Sequence, residues 1–229
     1  MTTAELHRED SERLGLFGGT FNPIHNGHVL AALEIRRRLG MRHLFFIPSA
    51  QPPHKDGLGL VSAHDRLEMV RLAIRPHSGL EVSDIEIRRG GRSYTIDTIQ
   101  HFKASGPRRE LYFLVGMDAF LEIDTWKRSK QLFEEAAFVV MSRPPHDMTD
   151  ALRARLERFI GRNISDDYHF EADRDRFRHP RNPPIILMRV APVDISSSRI
   201  RAMLARGEST DMWIPPAVAD FIARKGLYQ

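Results

Sequence analysis

The sequence predicts an α/β fold built on a mostly parallel sheet. Short apolar runs rich in β-formers recur along the chain, and amphipathic segments of helical length separate them. The length of 229 residues lies near the upper end of what one core serves, so a single domain spanning 1–229 with an insertion is expected, and 41% apolar and 28% charged residues are globular values. No run approaches the roughly eighteen apolar residues of a membrane-spanning helix. The lack of cysteine excludes a disulfide framework, a thiolate nucleophile and a cysteine-based zinc site. Residues 1–13, MTTAELHREDSER, are polar without an apolar stretch, so no secretory signal is read there and the cytoplasm is the expected compartment. A formal net charge of +4 suits anionic substrates without by itself implying nucleic acid.

The strand candidates are Leu14–Phe17, His43–Ile47, Leu111–Val115, Ala137–Met141 and Ile185–Val190, with Leu80–Ile87 as a more alternating sixth. The first intervening helix places His28, Ala31, Ala32, Ile35 and Leu39 on one face and stops at Gly40. A second starts at Ser62, with Asp65 as a capping-box-like partner, and carries Leu67, Val70 and Ile74 inward. Between about residues 143 and 184 the composition shifts to arginine, aspartate, histidine and proline. There Thr149 can cap a helix through Leu152, Leu156 and Ile160, while the remainder reads as an exposed insertion too polar to add a core. A helix from Ser196 to Ala205 closed by Gly207 follows the last strand. A final helix, with Val218, Phe221 and Ile222 inward, completes a small C-terminal helical portion. The clusters Arg36-Arg37-Arg38 and Arg88-Arg89, next to Glu34 and Glu86, read as solvated faces.

The most informative stretch is Gly18-Gly19-Thr20-Phe21-Asn22-Pro23-Ile24-His25-Asn26-Gly27-His28, directly after the first strand and opening the first helix. Ligands of open α/β sheets bind at the carboxyl ends of strands, where small residues let backbone N–H groups approach phosphate oxygens. A polyphosphate site is the natural inference. Two imidazoles three residues apart at a helix entrance can donate hydrogen bonds to an anionic oxygen. The run resembles the nucleotidyltransferase superfamily signature G-G-(S/T)-F-(D/N)-P-x-H-x-G-H, with Asn22 where many members have Asp. Ile195-Ser196-Ser197-Ser198-Arg199-Ile200-Arg201 resembles the second signature, I-S-S-T-x-I-R, although serine at a helix start is by itself an ordinary N-cap.

Further blocks resemble those of the bacterial nicotinate-nucleotide adenylyltransferases in order and rough spacing. They are Pro52-Pro53-His54-Lys55, Ser93-Tyr94-Thr95-Ile96-Asp97-Thr98, Glu110 to Asp118, and Trp126. Alone, each has a plainer reading: a basic loop at His54-Lys55, a helix start at Tyr94 and Thr95, an N-cap at Asp118, a core aromatic at Trp126. The resemblance implies a Rossmann-like nucleotidyltransferase fold with helices on both faces of the sheet. The implied reaction joins ATP and nicotinate mononucleotide into nicotinate adenine dinucleotide and pyrophosphate in NAD biosynthesis.

In the scheme implied by that resemblance, His25, His28 and Arg201 are the catalytic groups. Gly18, Gly19, Thr20, Phe21, Ser196, Ser197 and Ser198 bind ATP. His54, Lys55, Tyr94, Thr95, Asp118 and Trp126 serve the second substrate, with backbone N–H groups near Thr95 and Lys127 facing its carboxylate and the Lys127-Arg128 pair raising the local potential. Mg2+ is expected to be carried mainly by ATP oxygens and water, with no metal site of the protein's own. Neither nucleic acid nor membrane is an expected partner, and a homo-oligomer is compatible with the sequence. The alternatives are a sibling adenylyltransferase acting on nicotinamide mononucleotide or phosphopantetheine, and a basic nucleic-acid-binding module using the arginine-rich insertion.

Overall fold

The computed structural model describes residues 12–52, 59–106, 109–142, 149–190 and 195–229. Its strands are β1 (Glu12–Gly19), β2 (His43–Pro48), β3 (Leu80–Val82), β4 (Arg109–Gly116), β5 (Ala137–Ser142), β6 (His169–Glu171), β7 (Arg176–Arg178) and β8 (Ile185–Arg189). The α-helices among the described residues are α1 (Asn26–Arg38), α2 (Ala63–Ile74), α3 (Ile85–Arg89), α4 (Thr95–Ala104), α5 (Met117–Phe120), α6 (Ser129–Glu135), α7 (Asp150–Asn163), α8 (Ser197–Ala205) and α9 (Pro216–Lys225). The strands form one eight-stranded sheet in the order β3-β2-β1-β4-β5-β8-β7-β6. β2 with β3, β4 with β5 and β5 with β8 are parallel; β6 with β7 and β7 with β8 are antiparallel. The mostly parallel sheet is therefore as expected, with an antiparallel extension that the apolar runs do not announce.

The chain divides into two compact units, one of Met1–Leu16, Arg36–His43 and Tyr94–Val190, the other of Phe17–Ile35, Leu44–Ser93 and Ala191–Gln229. In the first unit β4 and β5 are near-continuous apolar runs, the pattern of parallel strands covered on both faces, and Leu111, Phe113, Leu114 and Ala137 to Val140 are all buried. Phe113 and Phe133 pack on Phe138 at centroid distances of 5.5 and 4.6 Å.

The segment expected to be an exposed insertion is instead built into this unit. Thr149 caps α7 by accepting the Leu152 N–H, and Leu156 and Ile160, four residues apart, are buried. β6 and β7 then extend the sheet from β8. Phe177, in register opposite Phe170 and Ile185, is fully buried. Its neighbours Arg176 and Arg178 alternate to the other side of a three-residue strand, and Arg176 donates to the Glu171 carboxylate. Around them, Tyr168 donates its hydroxyl to the Pro183 carbonyl, and His179 Nδ1 accepts the N–H groups of Arg181 and Asn182. Average polarity conceals such a segment, because a few apolar residues at the right spacing suffice to dock it.

In the second unit the predicted signals act as read. Val29, Ala31, Ala32 and Ile35 of α1 are buried, and Gly40, which belongs to the first unit, adopts φ 60° two residues beyond the helix. Ser62 accepts the Asp65 N–H at the start of α2 and donates its hydroxyl to the Asp65 carboxylate. Leu67, Val70 and Ile74 are buried as expected. In α9, Val218 and Ile222 are buried and Phe221 half-buried. The strand expected over Leu80–Ile87 is corrected: β3 ends at Val82 and Ile85–Arg89 is a short helix. Ser83 Oγ accepts the Ile85 N–H, and Arg88 binds Asp84 one turn away, local polar bonds that favour a turn over a continued strand.

Truncating Phe177 to alanine should lower stability by about 3–5 kcal/mol, as for a large buried aromatic. Urea unfolding of the variant measures this. A loss below about 0.5 kcal/mol, the size of an ordinary surface change, would return the segment to the role of an exposed appendage.

Candidate functional site

The strand-end motif of the second unit forms a tight turn. Phe21 takes φ 47°, in the left-handed region, and the Asn22–Pro23 peptide is cis. A Cβ on Gly19 would meet the Phe21 ring at 2.8 Å, so a glycine is required there to let that ring fold back over the strand end. The buried Phe21 ring in turn stands edge-on to His28, with centroids 5.2 Å apart, and Phe17 flanks His28 at 5.9 Å.

His25 and His28 stack with centroids 3.7 Å apart. His28 Nδ1 accepts the His25 backbone N–H at 3.3 Å. An accepting Nδ1 carries no proton, so the neutral ring bears its hydrogen on Nε2 and can donate only from there. His25 is buried and His28 is half-buried.

The second motif is fastened to the first. Ser196 is the N-cap of α8, its Oγ accepting the Arg199 N–H at 3.2 Å. Ser197 donates its hydroxyl to the Pro23 carbonyl at 2.8 Å, and Arg201 donates from Nη1 to the Asn22 carbonyl at 2.9 Å. Arg201 Nη2 reaches Ser198 Oγ at 3.3 Å. The three hydroxyls therefore differ chemically: the single proton of Ser197 is committed to Pro23, whereas Ser196 and Ser198 accept in these bonds and keep a proton to donate. Ser198 is exposed. The turn, the imidazoles and the start of α8 make a concentration of N–H and O–H donors with one guanidinium, a donor set suited to phosphate oxygens.

Arg66 belongs to neither sequence motif but bonds to the first. It lies on α2 and is only 1% exposed. Its guanidinium donates to three carbonyls, Thr20 at 2.8 Å, Ala50 at 3.1 Å and Val61 at 3.2 Å. Burial pushes its pKa down, opposed by the charge of Glu86. The available signal was an arginine three and four residues before Met69 and Val70, on the buried stripe of an amphipathic helix.

Tyr94, Thr95, Asp118 and Trp126 fall in the first unit. Tyr94 precedes α4 as its N-cap without a side-chain cap, and Thr95 is the first helical residue. Trp126 is half-buried, edge-on to Phe113 at 6.3 Å. Lys127 Nζ lies 4.5 Å above the Tyr94 ring and 3.0 and 3.1 Å from the two carboxylate oxygens of Asp97. The positive potential expected from the Lys127-Arg128 pair is thereby reduced, since Asp97 neutralises Lys127. Asp118 is exposed on α5, whose N-cap is Gly116, so the plain capping role does not apply to it. His54 and Lys55 lie outside the described residues.

Residues 16–203 match the family described as Cytidylyltransferase-like. The chain is similar to the "Probable nicotinate-nucleotide adenylyltransferase" of Desulfatibacillum aliphaticivorans, 40% identical over 218 residues that cover 94% of this chain and 99% of the relative. The counterpart of Geobacter sp. (strain M21) is 40% identical over 216 residues, covering 94% and 98%. Among solved structures, Plasmodium falciparum nicotinic acid mononucleotide adenylyltransferase complexed with NaAD superposes with a TM-score of 0.71 at 20% identity, covering 95% of this chain and 97% of that one. At that identity the likeness shows the shared fold, a Rossmann-like nucleotidyltransferase fold.

Replacing Arg66 by leucine removes three part-buried hydrogen bonds from a charged donor, each worth about 1.5–3 kcal/mol, so chemical denaturation should show a loss of roughly 3 kcal/mol or more. Arg66→Lys should recover only part of it, because one ammonium cannot address three divergent carbonyls as the planar fork does. Wild-type stability in Arg66→Leu would contradict the clamp.

Proposed function

The chain belongs to the nicotinate-nucleotide adenylyltransferase family, and on that premise we propose that it transfers the adenylyl group of ATP to nicotinate mononucleotide. An oxygen of the mononucleotide phosphate attacks the α-phosphorus of ATP, a new P–O–P link forms, and the bond to the leaving pyrophosphate breaks. The products are nicotinate adenine dinucleotide and pyrophosphate. The observation that carries this reading is the direct bonding of the two motifs, Ser197 to Pro23 and Arg201 to Asn22.

Phosphoryl-type transfer needs positioning and charge stabilisation more than a protein nucleophile. Gly18, Gly19, Thr20 and Phe21 present backbone to ATP. His25, His28 and Arg201 stabilise the charge that builds on the α-phosphate and the leaving group, His28 through Nε2–H. Ser196 and Ser198 supply hydroxyl donors, while Ser197 holds the turn in place. His54 and Lys55 serve the mononucleotide phosphate. Asp118 takes a ribose hydroxyl, and Tyr94, Thr95 and Trp126 frame the pyridine ring. With Lys127 neutralised by Asp97, preference for the acid over the amide rests on backbone N–H donors near Thr95 and Lys127.

The donors of the two motifs are imidazole, hydroxyl and guanidinium groups, which fit phosphate oxygens and not a hard cation. Among the described residues no group of three or more His, Asp or Glu is placed to hold a metal. In this proposal Mg2+ would be carried by ATP oxygens and water, where it would supply charge neutralisation. No helix among the described residues is long and apolar enough to cross a membrane, and we propose the cytoplasm as the place of work. We take the whole chain as one nucleotidyltransferase domain.

A pyrophosphate-release assay with ATP and, separately, nicotinate mononucleotide, nicotinamide mononucleotide and phosphopantetheine tests the assignment. The acid should be preferred over the amide by about 10²–10³ in catalytic efficiency, because the amide leaves buried donors unpaired. In the same assay His28→Ala should lower turnover by about 10²–10³, the usual effect of removing one preorganised donor. Equal use of the two pyridine mononucleotides would overturn the acid assignment, and near-normal turnover of a folded His28→Ala protein would remove His28 from the chemistry.

A further inference from the structure

Asn22, at the position where the first signature takes either aspartate or asparagine, has no part in the proposed chemistry. Asn22 is buried, and its polar groups bond with four different residues. Its Oδ1 accepts the Tyr228 hydroxyl at 2.7 Å and the Val61 N–H at 3.3 Å, and its Nδ2 donates to the Gly59 carbonyl at 2.8 Å. Its backbone carbonyl accepts from Arg201. This pattern fixes the amide: the oxygen faces two donors and the nitrogen faces a carbonyl. A carboxylate here would oppose the Gly59 carbonyl, acceptor against acceptor, which accounts for asparagine at this position.

We infer that Tyr228 is a positioning residue for ATP, acting through Asn22 to set the turn that carries the nucleotide-facing groups; this rests on the adenylyltransferase reading. Tyr228 lies far along the chain from every recognised motif, yet its hydroxyl makes the shortest of the four bonds at Asn22. It sits in the left-handed region at φ 65°, a conformation that tyrosine keeps only where its surroundings over-determine it. Burial raises the pKa of its phenol, partly offset by Arg201 and Arg66, so the hydroxyl stays protonated and able to donate. The same turn receives Arg66 at Thr20 and Ser197 at Pro23. Tyr228 thus adds side-chain support at the one residue of the turn whose backbone carbonyl holds Arg201. Loss of that support should be felt where Arg201 works, on the triphosphate, and not at the pyridine ring.

Tyr228→Phe removes one oxygen and keeps the ring. We expect the Michaelis constant for ATP to rise, and the affinity for non-cleavable α,β-methylene ATP measured by titration calorimetry to fall, each about five- to tenfold. The Michaelis constant for nicotinate mononucleotide should move less than twofold. In an Asn22→Ala background the same tyrosine change should have less than a twofold effect, because its target is gone. Unaltered ATP parameters in Tyr228→Phe would overturn the inference, as would equal losses for both substrates or an undiminished effect in the Asn22→Ala background. If Asn22→Ala does not fold, the split between ATP and mononucleotide in Tyr228→Phe decides alone. The calorimetric arm needs no turnover, so it tests the Tyr228 contact even if wild-type protein fails to join ATP to nicotinate mononucleotide.

Discussion

Three backbone carbonyls of one short turn, at Thr20, Asn22 and Pro23, are each held by a side chain from elsewhere in the sequence: Arg66, Arg201 and Ser197. A turn that puts phenylalanine at φ 47° does not hold itself, since local energetics favour other conformations for a residue with a Cβ. The surrounding donors make the conformation unique. Gly19 gives up its side chain so that Phe21 can lie back over it, and Phe21 then packs against His28. Position of the imidazole and shape of the backbone are in this way the same problem.

The chemistry of the holding groups follows from burial. A guanidinium is charged at any ordinary pH and offers five N–H donors in a plane, so one buried arginine can satisfy carbonyls from Thr20, Ala50 and Val61 together. The desolvation that depresses its pKa is offset by those bonds and by the nearby charge of Glu86. Arg201 divides its work, one nitrogen holding Asn22 and the other reaching Ser198 at an exposed helix start. A single residue thereby links the rigid turn to the surface where an anion would arrive.

Periodicity and capping chemistry made much of the fold legible. The apolar runs at Leu14, His43, Leu111, Ala137 and Ile185 all lie in strands, and Ser62, Thr149 and Ser196 all cap helices, because these signals depend on neighbouring residues alone. The antiparallel extension was not legible. β6 and β7 are three residues long, and the burial of Phe177 comes from its partners Phe170 and Ile185 and not from the arginines beside it. Over Leu80–Ile87 an alternating pattern gave way to side-chain bonds at Ser83 and Asp84. The motifs marked the candidate site through their glycines, histidines and serines, and the structure bonds the two motifs to each other. Arg66, and the bonds that Asn22 makes with Tyr228, Gly59 and Val61, stayed hidden because each depends on residues distant in sequence. The neutralisation of Lys127 by Asp97, thirty positions earlier, belongs to the same class.

The fate of each phosphorus of ATP separates adenylyl transfer from every other use of the nucleotide. ATP labelled at the α- or the γ-phosphorus, incubated with nicotinate mononucleotide and the protein, should send all consumed α-label into nicotinate adenine dinucleotide and all γ-label into pyrophosphate, in equal amounts. Release of γ-label as orthophosphate, or its appearance on the mononucleotide, would contradict the proposed attack at the α-phosphorus.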